Sequence, residues 1–164
     1  MRKTELAVSV LLSLGSVTGY GEDATAPPVR AVGAFVAISV ADLDASARWY
    51  SEKLGLQVVK REPKRDGVAF AVLEGGGLIV ELMQLDAAQP LSKAAPGVTK
   101  PELVHGISKA GIIVEDFEQA LAAMRARKVE IAYGPFPARA GERANVIVRD
   151  NSGNLLQFFG PLGQ

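Results

Sequence analysis

Val40 and Val114 each close a β-branched run, and each stands two residues before an aspartate that opens an amphipathic stretch. With Val40 laid on Val114, Asp42 falls on Asp116, Leu43 on Phe117, Ala47 on Leu121 and Tyr50 on Met124. Further on, "GLIVE" (residues 77–81) lies over "GNLLQ" (residues 153–157), with a shift that one loop insertion explains. An internal repeat of this kind restricts the fold more than any single residue does.

Each copy reads as a strand, a helix and three further strands. In the first copy these are residues 35–40, 43–54, 57–61, 68–73 and 78–85. In the second they are residues 109–114, 117–127, 130–133, 144–148 and 155–159. Asp42 and Asp116 are natural N-caps, because a short carboxylate accepts from the free N–H groups of a first helical turn. Leu43, Ala47, Tyr50 and Leu54 form one apolar stripe, and Phe117, Leu121 and Met124 form another. Gly55 suits the left-handed residue that ends a helix, and Lys128 occupies the matching place in the second copy. "KREPKR" (residues 60–65) is expected to be a charged, solvated hairpin connection, "EGGG" (residues 74–77) a hairpin turn and "DNSGN" (residues 150–154) a turn.

The fold class that follows is α+β. Two tandem βαβββ modules, at about residues 34–86 and 107–161, form a cupped, barrel-like mixed sheet with the helices outside. A Pro- and Ala-rich linker or lid at residues 87–106 joins them. The N-terminus reads as an export signal over residues 1–21. "MRK" is a short cationic start, residues 6–17 are an apolar run too short to span a bilayer, and Gly19 and Gly21 make a small-x-small cleavage pattern. Residues 22–33 then form a polar linker, and the protein is expected to be periplasmic or secreted, with no membrane association once the signal is removed.

Composition narrows the chemistry. Formal charge is zero, with 18 basic and 18 acidic side chains. No basic excess supports nucleic-acid binding. The absence of cysteine excludes disulfides, thiolate metal sites and cysteine nucleophiles, and the single histidine, His105, excludes any one-chain site with two imidazoles. His105 reads as a surface loop residue, and Arg139 and Arg143 as members of a solvated loop.

The segments "VADLDASARWYSEKLGL" (residues 40–56) and "DNSGNLLQF" (residues 150–158), in two copies of one module, resemble the vicinal-oxygen-chelate superfamily, the glyoxalase, bleomycin-resistance and extradiol-dioxygenase group. The likeness runs from about Gly33 to Pro161. It implies the cupped fold and leaves the activity open, since lyases, isomerases, dioxygenases, thiol transferases and drug binders share it.

Strand alternation sends one set of side chains toward the helices and the other into the cup. Val36, Ile38, Val40, Val80, Leu82, Leu156 and Phe158 belong to the first set. Phe35, Glu81, Met83, Lys109, Gln157 and Phe159 belong to the second. The resemblance implies metal ligands at four cup positions, which here are Phe35, Glu81, Lys109 and Gln157. Phe35 has no lone pair, Lys109 is a cation, and one carboxylate with one amide does not satisfy Zn²⁺, Fe²⁺ or Mn²⁺. No metal or other cofactor is therefore expected. Glu81 and Lys109 are expected to pair in its place, with Gln157 alongside. That pair either only neutralises itself and fixes the modules, or anchors an anionic or carbonyl ligand with Glu81 as general base.

The leading expectation is a metal-free binder of a small molecule, with Phe35, Met83, Gln157 and Phe159 lining the cup and a homodimer as its assembly. A glyoxalase-like lyase or isomerase, or a dioxygenase-type enzyme, using Glu81 and Lys109 in the same cup is the second reading. A non-catalytic interaction module is the third.

Overall fold

A computed structural model describes residues 33–100 and 103–162. The expected leader at 1–21 and nearly all of the linker at 22–33 lie outside the described residues. The order is β1 (Val36–Ser39), α1 (Leu43–Leu54), β2 (Gln57–Arg65), β3 (Val68–Gly75), β4 (Leu78–Leu85), α2 (Leu91–Ala94), β5 (Ala110–Ile113), α3 (Phe117–Ala126), β6 (Glu130–Phe136), β7 (Arg143–Arg149) and β8 (Leu155–Leu162). Two four-stranded mixed sheets result, with strand orders β1-β4-β3-β2 and β5-β8-β7-β6. Among the described residues the two sheets are separate, curved and not closed into a barrel. In each, the first strand runs parallel to the last and the remaining pairs are antiparallel. The duplicated βαβββ architecture is the one the repeat predicts.

Local chemistry sets the element ends. The carboxylates of Asp42 and Asp116 each accept from the backbone N–H three residues on, at 2.9 Å in both helices. Gly55 ends α1 at φ 76° and Lys128 follows α3 at φ 54°, both left-handed. The two tight hairpins of the first module turn at Asp66–Gly67 and Gly76–Gly77, where all four residues have positive φ. Consecutive positive φ angles match the twist of a two-residue hairpin, and Asp-Gly is a strong sequence signal for one. The stretch 60–65 is thus not the connection: it is the outer half of β2, and the reversal comes just after it. Its charges suit an edge strand, where they oppose pairing with another chain.

The helix-facing set of side chains is buried as the alternation requires. Val80, Leu82, Leu73, Val146, Val148 and Leu156 are almost wholly buried and join Leu43, Ala47, Tyr50, Phe117, Leu121 and Met124 in one core.

Polar contacts join the modules. Tyr50, from the inner stripe of α1, donates to Oδ2 of Asp150 in the β7–β8 turn at 3.0 Å. Asp150 is itself buried, and its carboxylate also accepts from the Ser152 and Asn154 backbones and the Asn154 amide at 2.8–2.9 Å. Burial first, and the adjacent Asp150 second, hold the Tyr50 phenol far above its ordinary range of ionisation. Beside this knot, Asn151 and Ser152 reach the buried hydroxyl of Ser46 at 3.1 and 3.2 Å. At the helix C-termini, Lys53 donates to the carbonyl of Arg127 and Arg127 to the carbonyl of Lys53. These two residues are the same position of the repeat, 74 residues apart.

Candidate functional site

Helices α1 and α3 cover one face of each sheet, and the other face carries the second set of side chains. On the first sheet, pairing aligns Ala37, Glu81, Val72 and Lys60 in one row and Ser39, Met83, Phe70 and Glu62 in the next. On the second, Gly111, Gln157, Ile147 and Tyr133 align, followed by Ile113, Phe159, Asn145 and Phe136. The alternation therefore places Glu81, Met83, Gln157 and Phe159 on the helix-free faces, as expected. Phe35 lies just before β1 and Lys109 just before β5.

These residues do not all meet. Glu81 and Met83 share the first sheet and are half-buried, and Gln157 and Phe159 share the second. Phe35 is 64% exposed. Lys109 lines a cleft of about 270 Å³ between β1, residues 107–110 and residues 153–156, and none of the other five residues lines it.

The expected Glu81–Lys109 ion pair is not formed. The ion pairs among the described residues are Lys60–Glu62, Arg61–Asp44, Lys64–Asp86 and Arg149–Glu130. The physical reason lies in exposure. A half-buried carboxylate stays accessible to solvent and needs no buried counter-charge, and Lys109 lines a cleft that Glu81 does not reach. Gln157 does not join Glu81 either: its amide donates to Oδ1 of Asn145 at 2.9 Å. Arg143 belongs to β7 rather than to a solvated loop, and its guanidinium donates to the carbonyl of Gly160 at 2.8 Å. Arg139 and His105 are exposed in loops.

Asn145 was missed by the sequence reading, and a signal for it existed. Ala144, Val146 and Val148 make the apolar alternation of β7, which leaves Arg143, Asn145 and Ile147 on the side of Gln157. The Tyr50–Asp150 bond had no comparable signal, because its partners are 100 residues apart.

The residues at the four ligand positions do not fit a metal. A phenyl ring, a half-buried carboxylate, an ammonium and one amide oxygen supply too few donors, and Lys109 lines a cleft that the other three do not. Among the described residues, no group of three or more His, Asp or Glu side chains is placed to hold an ion. Among the same residues, no helix is long and apolar enough to cross a membrane.

Comparison with known proteins agrees with the two-module fold. The family model of the glyoxalase/bleomycin resistance protein/dioxygenase superfamily matches residues 34–158. The chain belongs to this superfamily. Among solved structures, a glyoxylase/bleomycin resistance protein/dioxygenase domain from Frankia sp. EAN1pec is similar with a TM-score of 0.62 and 23% identity, over 81% of this chain and 93% of that one. A glyoxalase I mutant from Zea mays gives 0.57 and 20%, over 77% of this chain and 44% of that one. TioX from Micromonospora sp. ML1 gives 0.56 and 21%, over 79% and 100%. At these identities the likeness concerns the fold. No curated protein matches.

Proposed function

We propose that this member of the superfamily binds a small molecule on its helix-free faces and works without the metal centre of its metal-using relatives. One observation carries the reading: of the four positions that would supply ligands, only Glu81 has a metal-binding carboxylate, and Lys109 brings a positive charge to the cleft instead. An apolar surface with a few polar groups is the usual make-up of a ligand site. On these faces Phe35, Met83 and Phe159 supply apolar contacts and Gln157 a neutral anchor, while Lys109 offers a cation for an anionic or carbonyl group at the separate cleft beside β1.

The homodimer remains part of the proposal. Phe35 at 64% exposure and Ile113 at 68% leave apolar side chains in water that a second copy would cover. Sedimentation at increasing concentration tests this. Export through residues 1–21 is tested by N-terminal sequencing of the mature protein, expected to begin at Glu22.

The experiment for the main reading is metal content and metal-dependent thermal shift on the mature protein. The expected result is no stoichiometric metal and no stabilisation by Mn²⁺, Fe²⁺ or Zn²⁺, with Glu81→Ala and Lys109→Ala unchanged in that respect. Stoichiometric binding that Glu81→Ala abolishes sinks the reading and favours a metal-dependent lyase or dioxygenase.

A further inference from the structure

Gln157 is only 5% exposed, yet it lies on a face with no helix over it. Its environment is ordered by a chain of amides. The carbonyl of Arg143 can only accept, and Nδ2 of Asn145 donates to it at 3.3 Å. Asn145 must then turn Oδ1 the other way, toward Gln157. Nε2 of Gln157 donates to that oxygen at 2.9 Å. Arg143 in turn is tied to β8, its guanidinium donating to the carbonyl of Gly160. The direction of every amide in this chain is thus fixed from one end by a backbone acceptor.

One atom is left over. Oε1 of Gln157 has no hydrogen-bond partner among the described residues, and no buried side-chain oxygen or nitrogen there is unpartnered. The two statements agree if Oε1 keeps a small accessible surface on a side chain that is otherwise covered. Across the sheet from it, Gly111 has no side chain, and the ring of Phe159 lies 3.7 Å from where a Cβ of Gly111 would stand. Ile147 flanks Gln157 on the other side. The result is an acceptor with Gly111, Ile147 and the Phe159 ring nearby and the Asn145 amide holding its nitrogen.

We propose that Arg143 and Asn145 hold the Gln157 carboxamide with its oxygen outward, so that the part of a ligand seated against Gln157 is a neutral N–H or O–H donor on a flat apolar body. The proposal rests on the reading of this face as a ligand site and names the ligand class for its second-module half. An oxygen fixed in this direction repels a carboxylate and offers nothing to an ether or carbonyl oxygen. A ligand without a donor leaves Oε1 dry and unpartnered, which is the discriminating penalty. Asn145 is a positioning residue: it touches the ligand only through Gln157.

The test uses ¹⁵N-labelled mature protein and size-matched probes that differ in the donor alone, phenol against toluene and indole against indene. Titrations are followed at the Gln157 side-chain amide and at the backbone amides of β5 and β8. Phenol and indole should bind about tenfold more tightly than toluene and indene and shift the Gln157 signal. Gln157→Met keeps the shape and should abolish the preference. Asn145→Leu frees the amide to turn over and should reduce it to less than about threefold, with a thermal midpoint showing that the fold persists. Equal binding within each probe pair, or a donor preference that survives both substitutions, overturns the proposal while leaving the ligand face intact. If no probe perturbs β5 or β8, the ligand-site reading fails and takes the proposal with it.

Discussion

The two modules share a fold and use matching positions differently. In the first, Glu81 is half-buried beside Ala37 and Val72 and makes no hydrogen bond or ion pair with described residues. In the second, Gln157 at the same place is buried and committed to Asn145. The turns before the last strands diverge in the same way. Gly76 and Gly77 make a bare hairpin with open space where side chains would stand. Asp150 to Asn154 instead folds around a buried carboxylate and reaches across to Tyr50. The entry of the helix differs too. Oε1 of Gln84 accepts from the first N–H of α1 at 2.8 Å, while the matching Gly160 lets Phe117 settle directly on the strand. Duplication preserved the backbone and the core, and left polar positions free to take separate tasks. The second module carries more of them.

The largest difference to test is the turn. Asp150→Ala removes the acceptor of four donors, two of them backbone N–H groups, in a buried setting. A loss of roughly 3–5 kcal/mol in denaturant unfolding is expected. At the first module's turn, Gly76→Asn, at a φ that asparagine tolerates, should cost no more than about 0.5 kcal/mol. Equal losses at the two turns would remove the asymmetry described here.

Tyr50→Phe comes next and sharpens the same contrast through pH. Deleting one hydrogen bond to a charged group should cost about 1.5–3 kcal/mol near neutrality. In the unfolded chain the phenol ionises near pH ~10. In the folded chain it stays protonated well above that, because burial and Asp150 oppose the anion. A raised folded-state pKa gives a contribution that is full below pH ~10 and lost as pH rises, by about 1.4 kcal/mol per pH unit while only the unfolded chain ionises. The variant should lack this extra slope between pH 9 and 11. Parallel curves for the two proteins would mean that Tyr50 is not held as described.

The helix entries come last, and their effects should differ in mechanism. Gly160→Ala puts a Cβ at 2.9 Å from that of Phe117 and should destabilise by about 1–3 kcal/mol through crowding. Gln84→Ala removes only a side-chain cap and should cost about 1 kcal/mol. Thermal midpoints of the two variants, compared with a Gly160→Ala/Phe117→Leu double variant that relieves the crowding, separate these causes.

Much of this molecule is legible in one dimension because its periodicities are strong. The caps at Asp42 and Asp116, helices α1 and α3 and the alternation that sorts Val80 from Glu81 all follow from local rules, whereas the short α2 lies in the stretch read as a linker or lid. The length of β2 does not, since Lys60 to Arg65 has the composition of a loop and becomes a strand by pairing with β3. The Asp66–Gly67 turn was nevertheless written plainly. The Glu81–Lys109 pair failed at a different step. Matching positions told which face each residue lies on, but not how deeply a carboxylate is covered, and depth decides whether a charge needs a partner. The Tyr50–Asp150 bond depends on how two modules dock, which no local pattern encodes.

The reciprocal hold of Lys53 and Arg127 has a consequence of its own. Each donates a side-chain N–H to the other's carbonyl from the same place in the repeat, so the contact maps onto itself when the modules are exchanged. That is the defining property of an isologous interface, ordinarily met between separate subunits. The covalent segment around α2 thus joins two halves that share one contact of subunit form, beside the one-way bond of Tyr50 to Asp150. Cut there, the halves would have reason to find each other again.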